Sequence, residues 1–305
     1  MEYKSQKHYQ DVQEYFSATD HLPELPYIET MVTHGCTLSC EGCTNYSDYG
    51  MSGGNVSWEE HFEDLKVLTN RFRIGCYGFI GGEPFMHNKF KDWVINFKEE
   101  FPYITLMIVT NAQLFPKNAD WFLDAMEKYG MIYLKFSNHI PGAEYYEKSK
   151  QLVLDRFDWI EEENGYWFNK KHVNDFRTDD TDTFMRIVRG KYGDMKPYNN
   201  DPIKAFEICS QATCPLFYEG KLHKCSTVGM LDRMLTDHNQ IDDPEWAPYL
   251  NAGVDIRTAT DERIQQYADN HGKPHMKLCK MCPTSEDKDI YFDHIPLVVN
   301  KLGKI

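Results

Sequence analysis

Apolar and polar positions alternate along the first half of the chain in two recurring rhythms. PYIETMVTHG (26–35) reads as a strand running into a loop, and WEEHFEDLKVLTNRF (58–72) then repeats its apolar positions at helical spacing. IGCYGFIGGEP (74–84) is a strand-like run closing in a Gly-Gly turn, KFKDWVINFKEEF (89–101) is helical, and ITLMIVTNA (104–112) is again a strand. ADWFLDAMEKYG (119–130) predicts a helix with Gly130 near its C-terminal end, followed by a strand over MIYLKFSNH (131–139). Strands and helices in this alternation predict a parallel sheet covered by helices. Ahead of them, Tyr9, Val12, Tyr15 and Phe16 trace one face of a short helix ending near His21-Leu22-Pro23.

After about residue 140 the rhythm loosens. A polar, charge-rich stretch (169–182) and PYNNDP (197–202) place a boundary near residue 200. Beyond it FYEGKLHKC (217–225) reads as a hairpin, DERIQQYADN (261–270) as a short helix, and the end as a polar tail. We therefore expect a domain over 1–200, with 1–25 as a short extension, and a smaller one over 201–305.

Composition narrows the class. At 305 residues the chain buries enough surface to need no disulfide staples. A formal charge of −14 argues against nucleic acid or an anionic membrane as the main partner. The polar start MEYKSQKHYQ has no apolar signal core, and ITLMIV (104–109) is far too short to cross a bilayer. The expectation is a soluble cytoplasmic protein, whose nine cysteines then point to metal or catalysis rather than disulfides.

Three of the nine fall in THGCTLSCEGCTNYSDYG (33–50), spaced Cys36-x3-Cys40-x2-Cys43. Chance gives a cysteine two others at these offsets on the order of once in a thousand times. A structural zinc wants a fourth ligand; no nearby cysteine supplies one, although His34 could. Three thiolates can instead hold three irons of a 4Fe–4S cluster and leave the fourth iron open to a ligand. At the end of the second clear strand stands Gly81-Gly82-Glu83-Pro84, where glycines permit close backbone approach and Glu83 and the carbonyls can accept bonds from an ammonium group.

The cysteine loop, the GGEP segment and the strand–helix alternation between them resemble the radical S-adenosylmethionine (SAM) superfamily over about residues 27–200. The resemblance implies a partial (β/α)6 barrel, open on one side. It implies that Cys36, Cys40 and Cys43 hold the cluster, that SAM chelates the open iron, and that Gly81, Gly82, Glu83 and Pro84 hold its amino group. One electron then cleaves SAM to methionine and a 5′-deoxyadenosyl radical, which abstracts a substrate hydrogen; the cofactor carries the chemistry and the protein orients it. Thr110, Asn111 and Ser137 stand at strand ends comparable to those that contact the ribose, or else cap their strands. Arg186 or Arg189 could pair with the SAM carboxylate, or be solvated. Gly42 stands where many members carry an aromatic residue near the adenine.

The remaining pattern, Cys209-x4-Cys214-x10-Cys225 and then Cys279-x2-Cys282, resembles the auxiliary-cluster domain called SPASM in its shortened "twitch" form. It implies a small α+β domain with one auxiliary 4Fe–4S cluster on Cys225, Cys279, Cys282 and either Cys214 or Cys209. A structural zinc would suit the same thiols. Cys76 reads as a small core residue; His87 and His139 are surface or capping histidines within reach of the site.

The function expected is radical SAM oxidation of a small hydroxylated substrate, a carbohydrate, aminocyclitol or nucleotide-linked molecule, with a donor such as flavodoxin or ferredoxin. Epimerisation or isomerisation of a similar substrate is the alternative. Peptide maturation is disfavoured because the short segment before Cys36 leaves no room for a peptide-binding winged helix. A non-catalytic iron–sulfur or zinc protein would not need GGEP.

Overall fold

The computed structural model describes residues 10, 12–162, 165–180, 183–190, 193–288, 290–293 and 297–298. A short helix α1 (12–18) leads into β1 (Glu24–Thr33). The cysteine loop follows, carrying the two-residue strand β2 (Leu38–Ser39). Then come α2 (Trp58–Thr69), β3 (Arg73–Gly81), α3 (Phe90–Glu100), β4 (Thr105–Thr110), α4 (Ala119–Tyr129) and β5 (Ile132–Asn138). Each lies where the apolar rhythm places it. Ser57 caps α2 by accepting the Glu60 N–H, and Gly130 ends α4 at φ +68°.

Where the pattern loosens, the chain nevertheless forms α5 (Glu144–Arg156) and the strands β6 (Ile160–Glu162), β7 (Tyr166–Asn169), β8 (Asn174–Asp180) and β9 (Thr183–Met185). Helix α5 buries only Tyr146, Ser149 and Val153, a stripe too narrow to show as periodicity. The remainder comprises α6 (Pro202–Glu207), β10 (Leu216–Tyr218), β11 (Lys221–His223), α7 (Ser226–Asp237), β12 (Val254–Asp255), α8 (Asp261–Asp269), β13 (Tyr291–Asp293) and β14 (Leu297–Val298). The expected hairpin is β10–β11; Glu219 and Gly220, both at positive φ, make its two-residue turn.

The main sheet has ten strands in the order β12-β11-β10-β1-β3-β4-β5-β8-β7-β6. Strands β10, β1, β3, β4, β5 and β8 run parallel, and antiparallel hairpins extend both edges. Strand β10 hydrogen-bonds β1 through Glu29 and Leu216, so the sheet is continuous across residue 200. Two small antiparallel pairs, β9 with β13 and β2 with β14, complete the topology.

Alternation along the parallel strands sorts the faces. Leu106, Ile108, Ile132, Leu134 and Phe136 are buried in the apolar core with Leu65, Trp93, Phe97, Phe122 and Val153 of the helices. Met107, Val109, Tyr133, Lys135 and Ser137 alternate with them on the other face and are only half-buried. That second face, toward the C-terminal ends of the strands, is where the cavity lies. No helix of the described residues is long and apolar enough to cross a membrane.

Candidate active site

Strand β1 ends at Thr33 and releases the cysteine loop directly over the end of β3. The Gly82 N–H donates to the Thr33 carbonyl at 2.9 Å and the Glu83 N–H to the Gly35 carbonyl at 2.8 Å. A Cβ on Gly82 would stand 2.2 Å from the Gly35 oxygen and 2.8 Å from the Cys36 Cβ; one on Gly81 would stand 2.6 Å from the Thr33 oxygen. Both glycines are therefore required by the cysteine loop itself, whatever ligand the loop meets.

Within the loop, the Cys43 N–H closes a turn onto the Cys40 carbonyl at 3.0 Å. Gly42 occupies that turn at φ +78°, which explains a glycine where an aromatic residue is common. Cys36, Cys40, Cys43, Gly81, Gly82, Thr110, Asn111, Ser137 and His139 line one cavity of about 570 Å³. Lys135 of β5 and Gln211 of the C-terminal half line it as well.

Burial, with the nearby Glu83 charge, pushes the Cys36 thiol far above its ordinary range; burial raises Cys40 and Cys43 too. Such thiols ionise only when a cation takes the place of their protons. The Leu38 N–H (3.4 Å) and the Asn111 amide (3.8 Å) both donate to the Cys36 sulfur and would stabilise a thiolate there. Among the described residues no three His, Cys, Asp or Glu side chains converge as ligands of a metal ion. A four-iron cube asks for something else, one thiolate at each of several corners. Three cysteines spread around one cavity suit that donor set.

Glu83 is held by the protein itself. Its side chain is fully buried, is not part of the cavity lining, and accepts from Thr110 Oγ1 (2.6 Å), the Asn111 N–H (2.9 Å) and the Phe85 N–H (3.1 Å). Burial holds its pKa at about 7 against these bonds. The carboxylate thus ties the end of β3 to the end of β4, and the Thr110 hydroxyl is committed to it. Pro84 is buried behind it. Asn111 also donates to Thr37 Oγ1 at 3.0 Å, joining β4 to the cysteine loop.

The other sequence candidates are placed variously. His34 does not line the cavity with the three cysteines; its Nε2 is 2.9 Å from the Tyr218 hydroxyl, and burial lowers its pKa to about 4. His87 bonds the Val56 carbonyl and accepts the Lys89 N–H, a local cap. Arg186 pairs with Glu41 and Arg189 donates to the Pro197 carbonyl. Cys76 lies half-buried on β3.

Cys209, Cys225, Cys279 and Cys282 share a small cavity of about 20 Å³; Cys214 does not line it. Burial and the neighbouring Glu29 charge push the Cys214 thiol up to about 12. Glu29, on the cavity-side face of β1, is itself 4% exposed and accepts the Tyr27 hydroxyl at 2.6 Å. Sequence spacing singled out neither Glu29 nor Lys135; a charged residue inside each of two predicted strands was the available signal. The two cysteine sites are joined by the Thr44 carbonyl, which follows Cys43. It accepts from Ser226 Oγ (3.4 Å) and Thr227 Oγ1 (3.1 Å), which follow Cys225.

Residues 30–161 match the family model described as the Radical SAM superfamily. No curated protein matches the chain. Among solved structures, BtrN in complex with AdoMet and 2-DOIA is 17% identical, with a TM-score of 0.47, over 86% of this chain and 94% of that one. Native anSMEcpe with bound AdoMet is 14% identical, with a TM-score of 0.44, over 82% and 96%. Streptococcus suis SuiB bound to precursor peptide SuiA is 19% identical, with a TM-score of 0.32, over 43% of this chain and 27% of that chain. Residues 30–161, running from β1 into β6 and carrying Cys36, Cys40, Cys43 and the GGEP segment, form a radical SAM domain.

Proposed function

We propose that the chain is a radical SAM enzyme that oxidises a small hydroxylated substrate, a carbohydrate, aminocyclitol or nucleotide-linked molecule. The observation that carries this reading is the gathering of Cys36, Cys40, Cys43, Gly81, Gly82, Asn111 and Ser137 around one cavity. Cys36, Cys40 and Cys43 would hold a 4Fe–4S cluster, which when reduced cleaves bound SAM to a 5′-deoxyadenosyl radical. The carbonyls of the Gly81-Gly82 turn are the acceptors suited to the SAM ammonium, since Glu83 is engaged elsewhere. Ser137 and Asn111 suit the ribose, and Thr110 helps position Asn111 through Glu83. Lys135, paired with Asp179 at 2.7 Å, brings charge to the cavity wall, which suits a polar substrate better than an aliphatic one.

Cys209, Cys225, Cys279 and Cys282 would hold one auxiliary 4Fe–4S cluster in a twitch-like arrangement over 201–305. That redox site favours oxidation, in which an electron must leave the substrate; flavodoxin or ferredoxin would supply the electron that starts each turnover. Anaerobic reconstitution should give about eight irons per chain. Changing Cys36, Cys40 and Cys43 together to Ala should leave about half and abolish 5′-deoxyadenosine formation. Undiminished SAM cleavage by that variant would sink the reading.

Epimerisation is a second reading, favoured by one observation: Cys214 lies apart from the other four thiols, beside Glu29. A free thiol can return a hydrogen atom, and its proton exchanges with water. Turnover in deuterated water that places one deuterium on product carbon, lost in Cys214→Ala, would replace oxidation with epimerisation.

A further inference from the structure

A second cavity, of about 260 Å³, lies beside the C-terminal cysteines and shares Lys224 with their small cavity. Its charge is of one sign. Lys224, Arg263 and Lys273 line it with His271 and His275, and no Asp or Glu does, in a chain where acidic residues outnumber basic ones 47 to 33. Among the described residues none of these three cations has an ion-pair partner, while Lys135 at the main cavity is paired with Asp179.

Donors are free as well. Lys224 gives one hydrogen bond to the Ala212 carbonyl at 3.0 Å and keeps two further N–H groups. The His271 Nε2 is buried without a protein partner. His275 accepts the Lys277 and Leu278 N–H groups at Nδ1, 3.3 and 3.1 Å away, so its neutral ring carries the proton on Nε2 as a donor. Leu222, Pro215 and Tyr267 supply apolar wall. An oxyanion entering this concavity would meet three cations and unpartnered donors, with no carboxylate in the wall to repel it.

We propose that this cavity binds a small molecule bearing an oxyanion, phosphate or carboxylate, with Lys224, Arg263 and Lys273 meeting the anion and Tyr267 flanking its body. The proposal is independent of the reading of the main cavity. A site this small admits neither a nucleic-acid strand nor a protein face.

The test is calorimetric titration of the reconstituted protein at low ionic strength, with inorganic pyrophosphate as the phosphate arm and citrate as the carboxylate arm. Saturable one-site binding is expected in at least one arm, and the arm that binds identifies the chemistry. Arg263→Glu combined with Lys273→Glu should weaken it about tenfold or more. The milder pair Arg263→Ala with Lys273→Ala should weaken it less. Both positions are exposed, so the variants leave the core untouched. Lack of saturable binding in both arms, or binding unchanged in both double variants, overturns the proposal.

Discussion

Gly82→Ala isolates the packing of the cysteine loop on the end of β3. Gly82 is not in the left-handed region, so alanine meets no backbone penalty and gains about 0.4–1 kcal/mol through the unfolded chain. Against this, the added Cβ would lie 2.2 Å from the Gly35 oxygen, where real contacts essentially never fall below 3.0 Å, so 0.8 Å of movement (3.0 − 2.2) is forced. The obstructing atoms are backbone and the Cys36 Cβ, not a flexible side-chain end. Overpacking of that kind costs about 1–3 kcal/mol. Loss of the Glu83 N–H bond to Gly35 would add about 1 kcal/mol. The net expectation is a loss of about 2 kcal/mol, read as a lower urea midpoint, together with reduced iron uptake because Cys36 is displaced. Gly142→Ala is the control: its φ is +78° and nothing stands within 4 Å of the new Cβ, so roughly 1–2 kcal/mol of left-handed strain is set against the same unfolded-chain gain, with no steric clash. Normal iron uptake by Gly82→Ala, with a midpoint no lower than that of Gly142→Ala, would refute the steric account.

Glu83→Ala strands the buried Thr110 hydroxyl and the Asn111 and Phe85 N–H groups, and should cost about 3 kcal/mol or more in urea unfolding while weakening SAM binding in equilibrium dialysis. Cys209→Ala should lose the iron of the C-terminal site and Cys214→Ala should keep it, as measured by iron content after reconstitution. Burial raises Glu29 from an ordinary 4.5 to about 7, so the folded chain keeps a proton that the unfolded chain has lost between these values. Its contribution therefore falls as pH rises through that window, and Glu29→Gln should remove a fall of up to about 3 kcal/mol, seen by comparing urea midpoints at pH 5 and pH 8.

The strands β1, β3, β4 and β5 and the helices between them were legible because each is local and strongly patterned. Helix α7 was not: Gly229 interrupts it, and the reason appears only in three dimensions, where a Cβ there would stand 2.5 Å from Leu216. The charged stretch of β8 reads as a boundary because its charges are matched only in three dimensions, where Asp179 pairs with both Arg177 and Lys135 on the open face. Within the site, the three cysteines and the Gly-Gly turn were marked by spacing alone. The commitment of Glu83 to Thr110 was hidden because the partner lies 27 positions away. The separation of Cys214 from Cys209 depends on where the chain turns between α6 and β10, which spacing does not encode.

The pairing of β10 with β1 also sets a clock for synthesis. His34, beside the cysteine loop, waits for Tyr218, 184 positions later, before its ring is covered. At about 5–20 residues per second, a ribosome leaves that edge of β1 bare for roughly ten to forty seconds. An unpaired strand edge is a template for strands of neighbouring chains. Yield in a cell should therefore depend on whatever shields the nascent β1 edge, and translational pauses between β1 and β10 should lower it.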